Sequence, residues 1–498
     1  MSQYTAVIEA MKSGNAEGAG VPGIIVYPRS FTRKDGVSLM MVREDLNKKI
    51  IAYGSGALMD ELSGEELPEG GKICGVTHTN RLVLNRHFPY TAPRAFGTQV
   101  ATLGLGDRLG LASPGHIQTV LGRDVMPILA QQSIRELNLT GRDYKEVLDA
   151  ACYAAFQEGY TGGFGADGDH LKVESDIRMS LELGFTMLTL DCSEKIDNTI
   201  DGLSDAEVSA KYAALPADVR GHYEGRYLGK SFQVGQFTVS FNQADVMRNA
   251  LIYGEAIQFM KHVYRTYIVT ADREIDFEIS IDETLSITAP ASHYLVANEL
   301  YSDGMTIYSM APRFCGEFQK GIDYIGDIAQ FERELAVHAA IADHFGYKLS
   351  IHSGSDKFSV FPIIAEHTKG RFHVKTAGTN WLEAVRAVAR VNPSLYRRMH
   401  AYAVEHFHEA LAYYHVKADL KKVKPLDQVS DERLPEYMDD EDARQLIHIT
   451  YGILLQAKDA QGRSLFKDEF YRTLIEQEDA YENALKAHIG RHLDLLGK

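Results

Sequence analysis

Residues 163–172 read GFGADGDHLK, three glycines, two aspartates and a histidine beside a lysine. The stretch is too polar for an ordinary core strand and too glycine-rich for a helix. It is expected to turn tightly, with its glycines supplying the freedom. It does not suit phosphate: no G-x-x-x-x-G-K-[ST] occurs in the chain, and acids stand where a phosphate wants donors. Asp169 suits proton transfer, and the adjacent His170 suits metal ligation, imidazole being the commonest transition-metal ligand. His352, in SIHSGSDKF, and His373, in RFHVKT, are two more candidates. Three imidazoles from three segments could hold one divalent ion with positions open for substrate oxygens, and a carboxylate could replace any of them. Glu283 could work opposite Asp169 as the second acid–base group. Its alternative is to cap a helix near 290–300, as IDETLS allows. Lys375 either pairs with a substrate carboxylate or, desolvated, forms a Schiff base with a carbonyl. Arg313 suits bidentate recognition of a carboxylate.

These residues need a scaffold. Seven strand-like runs precede them: TQVATLGLG (98–106), GGFGAD (162–167), FTMLTLD (185–191), FEISID (277–282), TIYSMA (306–311), KLSIHS (348–353) and RFHVKT (371–376). Helical patterns separate several, including 325–346 with Gly346 as its stop. Strand–helix alternation argues for a parallel sheet, and a (β/α)8 TIM-like barrel is favoured over a doubly wound sheet. The eighth strand is expected from the N-terminal region or from 381–395. A barrel collects its chemistry where strands end. The runs end in Asp107-Arg108, Asp167 with Asp169 and His170, Asp191 and Glu194, Asp282 and Glu283, Arg313, His352 and Lys375. Residues 1–95 read as an N-terminal α+β addition, 96–395 as the barrel and 396–498 as a helical region. The polar stretch 195–230 reads as a lid or a helical excursion.

The chain has 498 residues and a formal net charge of −16. That charge disfavours nucleic acid and anionic membrane surfaces. The four cysteines form no CxxC pair, so neither a cysteine zinc site nor a disulfide framework is expected. No signal-like start and no bilayer-length apolar run occur, and a cytoplasmic setting is expected. GLGDRLG (104–110) misses the dinucleotide fingerprint by one residue of spacing. The lone Trp381 is expected in a packed core.

In order, LGLGDRLGLASPGH (103–116), GFGADGDHLK, TLDCSE (189–194), IDETLS (281–286), IHSGSDKFSVFP (351–362) and FHVKTAGTNWLEAVR (372–386) resemble the bacterial tagaturonate epimerases, over about Arg94 to Arg398. The resemblance implies interconversion of D-tagaturonate and D-fructuronate with a divalent cation such as Zn, Mn, Ni or Co. It implies Asp169 as proton acceptor, Glu283 as proton donor, and His170, His352 and His373 as metal ligands. The partner is then a small hexuronate, with a homo-oligomer left open. Relatives acting on neutral ketoses keep tagatose or fructose as an alternative, and a Schiff-base or metal-dependent aldolase of a sugar acid is another. A non-catalytic sugar-acid binder is a third, and it would need no acid–base pair. The epimerised carbon lies β to the ketone, so enolisation alone does not invert it. Retro-aldol cleavage and re-addition does, and so would transient oxidation by bound NAD.

Overall fold

The computed structural model describes residues 3–18, 21–282 and 284–498. An antiparallel sheet comes first: β1 (Ile24–Lys34), β2 (Val37–Glu44), β3 (Asn47–Gly54), β4 (Glu65–Glu66) and β5 (Lys72–Gly75), in the order β1-β2-β3-β5-β4. Eight further strands close a parallel barrel: β6 (Thr102–Gly104), β7 (Met126–Ser133), β8 (Gly165–Leu171), β9 (Met187–Asp191), then, after the hairpin β10 (Ser231–Val234) and β11 (Phe237–Ser240), β12 (Asp276–Ile281), β13 (Ser309–Pro312), β14 (Lys348–Ile351) and β15 (Phe372–Lys375). The expected barrel is therefore present. Among the described residues no helix is long and apolar enough to cross a membrane.

The eighth strand is β7, which lies in neither region where it was expected. MPILAQQS carries two buried glutamines that break its apolar run. The alternative region, 381–395, is mostly the helix Thr379–Val391. The N-terminal runs make their own sheet.

The chain divides into two compact units. The first comprises Met1–Arg94, Leu105–Ala166 and Gly378–Gly490, and the second Ala95–Gly104, Asp167–Ala377 and Arg491–Lys498. In the first unit β2 is buried on both faces. Leu39 and Met41 pack with Val83, Leu84 and Phe156, while Met40 and Val42 pack with Val7, Ile8 and Met11. This is what a period of two does to a continuous apolar strand between two layers. The same unit holds Trp381 in its helical core, with Nε1 donating to the Ile447 carbonyl at 2.8 Å. Asp107 and Arg108, expected at a strand end, have structural work in this unit. The Asp107 carboxylate accepts the backbone N–H groups of Leu109, Gly110 and Ala112. Arg108 is buried against Glu136, 2.6 Å away, and lies over the Tyr451 ring.

In the second unit, residues 195–230 are mostly helical, with helices Asp205–Ala213 and Ala217–Tyr227. The helix Ile328–Phe345 ends where expected, with Gly346 left-handed. The barrel strands of this unit carry the site, and their inward faces are unusual. Barrels of this class usually fill their interior with branched aliphatic side chains. Here Asp276, Glu278 and Ser280 alternate with Phe277, Ile279 and Ile281 along β12, all buried. Lys348 and Ser350 alternate with Leu349 and Ile351 along β14, also buried.

GFGADGDHLK is not a turn. Gly165–Leu171 is strand β8, buried apart from the half-buried His170. Its polar residues are at home because the interior they join is polar. Gly168 allows close packing rather than turning: a Cβ there would stand 3.1 Å from the Ser180 side chain on the helix Glu174–Leu183. The conformational departure falls at His170, with φ +53°. There the pairing of β8 with β9 slips register between Gly168 and Leu171.

Candidate active site

The side chains of the second unit's barrel strands meet around one ammonium. Lys375 Nζ, at the end of β15, donates to Asp169 Oδ1 at 2.7 Å and to Asp167 Oδ2 at 2.9 Å, and pairs with Glu278 Oε1 at 2.8 Å. It also donates to Thr189 Oγ1. Thr189 N donates to Asp167 Oδ1 at 3.1 Å, and Ser309 Oγ donates to Glu278. Every member is buried. Burial alone would lower the Lys375 pKa, but Asp167, Asp169 and Glu278 outweigh it and hold the group well above the usual lysine value. A Schiff-base lysine needs the opposite, a neutral amine at working pH, so this environment disfavours the lysine-aldolase reading.

The two buried aspartates of β8 differ. Burial pushes Asp167 up to about 6 against the pull of Lys375. Burial also opposes ionisation of Asp169, but Lys375 and then His170 bring it down to about 2. Both share Lys375, so they titrate as one set.

Two histidines stand beside this cage with their rings 4.9 Å apart. His352 Nε2 is 2.8 Å from Glu278 Oε1, and its Nδ1 lies 3.0 Å from Asp282 Oδ1, out of hydrogen-bonding alignment. His170 Nδ1 lies 3.4 Å from Asp191 Oδ2, and neither atom has a hydrogen-bond partner. Burial would lower His352, yet Asp282 and Glu278 raise it to about 10. His170 is likewise raised, burial being outweighed by Asp169 and Asp191. Three buried carboxylates (Asp167, Asp169 and Glu278) thus face the Lys375 ammonium, while Asp191 stands beside His170 and 3.5 Å from the Lys172 ammonium, and Asp282 beside His352. Buried like charges are costly unless neutralised. The pull on both imidazoles registers this demand for positive charge. Buried His170 Nδ1, His352 Nδ1 and Asp191 Oδ2, all without hydrogen-bond partners, are the donor types a divalent transition metal takes.

His373 sits one layer below Lys375 on β15. Its Nδ1 bonds Thr102 Oγ1 at 2.9 Å, its Nε2 has no partner, and burial pushes its pKa down to about 3. Beneath it Lys348 Nζ donates to the Val100 carbonyl at 2.9 Å and to Thr102 Oγ1 at 3.1 Å, and lies over the Tyr308 ring. Burial brings Lys348 down to about 7, against the attraction of Asp276 and Glu278. Between about pH 7 and 10.5 the unfolded chain therefore binds a proton that the folded chain has lost, and stability rises with pH over that window. The pH slope of the unfolding midpoint should be steeper for the native protein than for Lys348→Met there; equal slopes would refute the shift.

Arg313 follows β13 directly, and among the described residues no carboxylate pairs with its half-buried guanidinium. Glu283 lies outside the described residues. The helix Pro290–Ser302 has no side-chain cap from its N-cap residue, Ala289. The structure thus brings Asp169, His170, His352 and Lys375 together, with His373 below them. Sequence reasoning missed Glu278, which holds both Lys375 and His352, and gave Asp191 and Asp282 no ligand role. No signal marked Glu278: an acid between Phe277 and Ile279 is also what an alternating strand with one solvent-facing side shows.

A family model for tagaturonate epimerase matches residues 27–496. A curated tagaturonate/fructuronate epimerase from Thermotoga maritima is 40% identical over 490 residues, covering 95% of this chain and 97% of that protein. Crystal structures of a fructuronate–tagaturonate epimerase from Cohnella laeviribosi, native and complexed with one glycerol, superpose with a TM-score of 0.94 at 65% identity, covering 99% of each chain.

Proposed function

Because the chain belongs to the tagaturonate epimerase family, we propose that it interconverts D-tagaturonate and D-fructuronate by retro-aldol cleavage and re-addition, with a divalent cation at the histidine–aspartate pairs. The observation that carries this reading is the excess of carboxylates over cations around Lys375, beside imidazole and carboxylate atoms without hydrogen-bond partners. His170, Asp191, His352 and Asp282 are the residues that would hold the ion. His373, one layer down and bonded to Thr102, is better placed to support the cage from below.

Asp169 is the proton acceptor. It removes the proton from the hydroxyl on the carbon to be inverted. The bond from that carbon to its neighbour α to the ketone then breaks, its electron pair passing onto the ketone side and leaving an aldehyde. The aldehyde turns, the bond re-forms on its other face, and the new alkoxide takes its proton from Glu283, which is reprotonated from solvent as Asp169 gives up the proton it accepted. Nothing is oxidised or reduced overall. Lys375 keeps Asp169 ionised and aimed, which is needed for acceptance but makes it a weak base. When bound, a divalent cation supplies the Lewis acidity that lets so weak a base take a hydroxyl proton. Glu283 is the proton donor in this reading. Arg313, with its guanidinium unpaired among the described residues, takes the substrate carboxylate.

Exhaustive chelation should abolish turnover of fructuronate, and adding back one divalent metal should restore it. Full activity after verified metal removal would sink the metal-dependent reading. Borohydride added with substrate should trap no adduct on Lys375.

A further inference from the structure

Glu278 has no step in the chemistry above, although it is fully buried within β12 and both of its carboxylate oxygens are engaged. Its Oε1 meets Lys375 Nζ at 2.8 Å, His352 Nε2 at 2.8 Å and Thr189 Oγ1 at 3.2 Å. Its Oε2 accepts from Ser309 Oγ. His352 is buried too, and its two nitrogens are used unequally. Nε2 bonds Glu278, while Nδ1 stands 3.0 Å from Asp282 Oδ1 without a hydrogen bond. Asp282 Oδ1 already accepts from the Ser280 hydroxyl at 2.6 Å.

These partners decide which nitrogen keeps its hydrogen. A carboxylate that faces an ammonium is ionised, and an ionised carboxylate only accepts. Nε2 therefore carries the hydrogen shared with Glu278. A ring nitrogen that carries a hydrogen has no lone pair for a metal, so ligation falls to Nδ1. Ligation through Nε2 would break a bond to a buried, charged acceptor, the costly kind to lose. Metal-bound histidines generally donate their other nitrogen to a carboxylate or a carbonyl, which fixes the ring and raises its basicity.

We infer that Glu278 is a positioning residue for His352, holding its Nε2–H so that Nδ1 is the nitrogen offered to a divalent cation. The inference rests on the reading of His352 as a metal ligand. The same Oε1 meets Lys375. One carboxylate thus orients a ligand on one side and, on the other, the ammonium that aims Asp169. Glu278 acts through these two residues rather than on the reacting atoms.

The experiment measures the zinc affinity of the metal-free, full-length protein by competition with a chromophoric chelator, for the native chain, Glu278→Gln and Glu278→Leu. Both variants remove the same charge, but only glutamine keeps an acceptor. Its amide oxygen must face Lys375, His352 and Thr189, which all donate, while its NH2 group faces the Ser309 hydroxyl. Glu278→Leu should weaken zinc binding about 10–100-fold, the usual loss when a metal-bound histidine is deprived of the acceptor behind it. Glu278→Gln should fall clearly between Glu278→Leu and the native protein. Equal weakening by both variants would reduce Glu278 to a background charge and overturn the inference. So would native zinc affinity in both with only a lower unfolding midpoint, which is what a merely structural role predicts. His352→Gln separates the two readings. If it leaves zinc affinity unchanged, His352 is no ligand, and that reading and the inference fall together. If it weakens binding while the Glu278 variants do not, the positioning role alone falls. Should Glu278→Leu not fold, nitrogen NMR of the zinc-loaded native protein decides. The histidine signal missing from His352→Gln should then show a protonated Nε2 and a zinc-bound Nδ1, and zinc on Nε2 would overturn the inference.

Discussion

Asp169→Asn should lower kcat on fructuronate by about two to four orders of magnitude, the usual worth of a positioned acid–base group, while calorimetry still detects substrate binding. The change is nearly isosteric. It removes one of three carboxylates facing Lys375 and leaves Asp167 and Glu278 to hold the ammonium. The fold should therefore survive, and the loss should fall on the chemical step rather than on KM. Retained turnover within a few-fold of the native enzyme would remove Asp169 from the proton-acceptor role. Loss of binding together with turnover would place it in substrate recognition instead.

Lys375→Met should be the most damaging single change in the second unit. It leaves Asp167, Asp169 and Glu278 facing each other inside the barrel, where burial already raises Asp167 even with Lys375 present. Breaking a buried ion pair by deleting one partner typically costs about 3–5 kcal/mol, because the other charge stays behind uncompensated. The carboxylates should answer by taking up protons, so the variant should be less unstable at acidic pH than at neutral pH. Denaturant titrations at two pH values read this out. Activity should be lost at both, since a protonated Asp169 accepts nothing. Adding Asp167→Asn to Lys375→Met should recover part of the stability and none of the turnover. A Lys375→Met protein as stable as the native one at neutral pH would show that the cage is not held by this ammonium.

Much of the scaffold is legible from alternation and spacing. β9, β12, β14 and β15 lie within a residue or two of the runs FTMLTLD, FEISID, KLSIHS and RFHVKT. These strands show β-rich runs followed by an ionisable residue and then a helical pattern. β8 is caught only at its start, in GGFGAD, because period-two reading expects the buried face of a strand to be apolar, and Asp167 and Asp169 occupy it. Glu278 escapes for the same reason. β7 is obscured by Gln131 and Gln132. In a barrel whose interior is charged, hydrophobic patterning reports only the outward face of each strand, and the inward residues look like loop. The site residues at strand ends were easier to find, since polarity there agrees with both a strand terminus and a site. What separates them is partnership: Asp107 is tied to backbone N–H groups, whereas Asp169 is tied to Lys375, and no single residue's position along the chain reveals that difference.

The ammonium that neutralises the cage has a bearing on how the protein is made. Lys375 lies 206 residues after Asp169 along the chain. At about 5–20 residues per second of synthesis, roughly 10–40 s separate their emergence from the ribosome. Throughout that interval the acids of β8 have no resident counter-charge from β15 and must stay in water. The first unit waits as well, because Gly378–Gly490 follows Lys375 in the order of translation. Neither unit is a contiguous stretch that the ribosome can release and finish before starting the other. Closure of the barrel is thereby a late event, and a ribosome-arrested chain ending before residue 375 should expose β8 to protease while the antiparallel sheet of residues 24–75 is already protected.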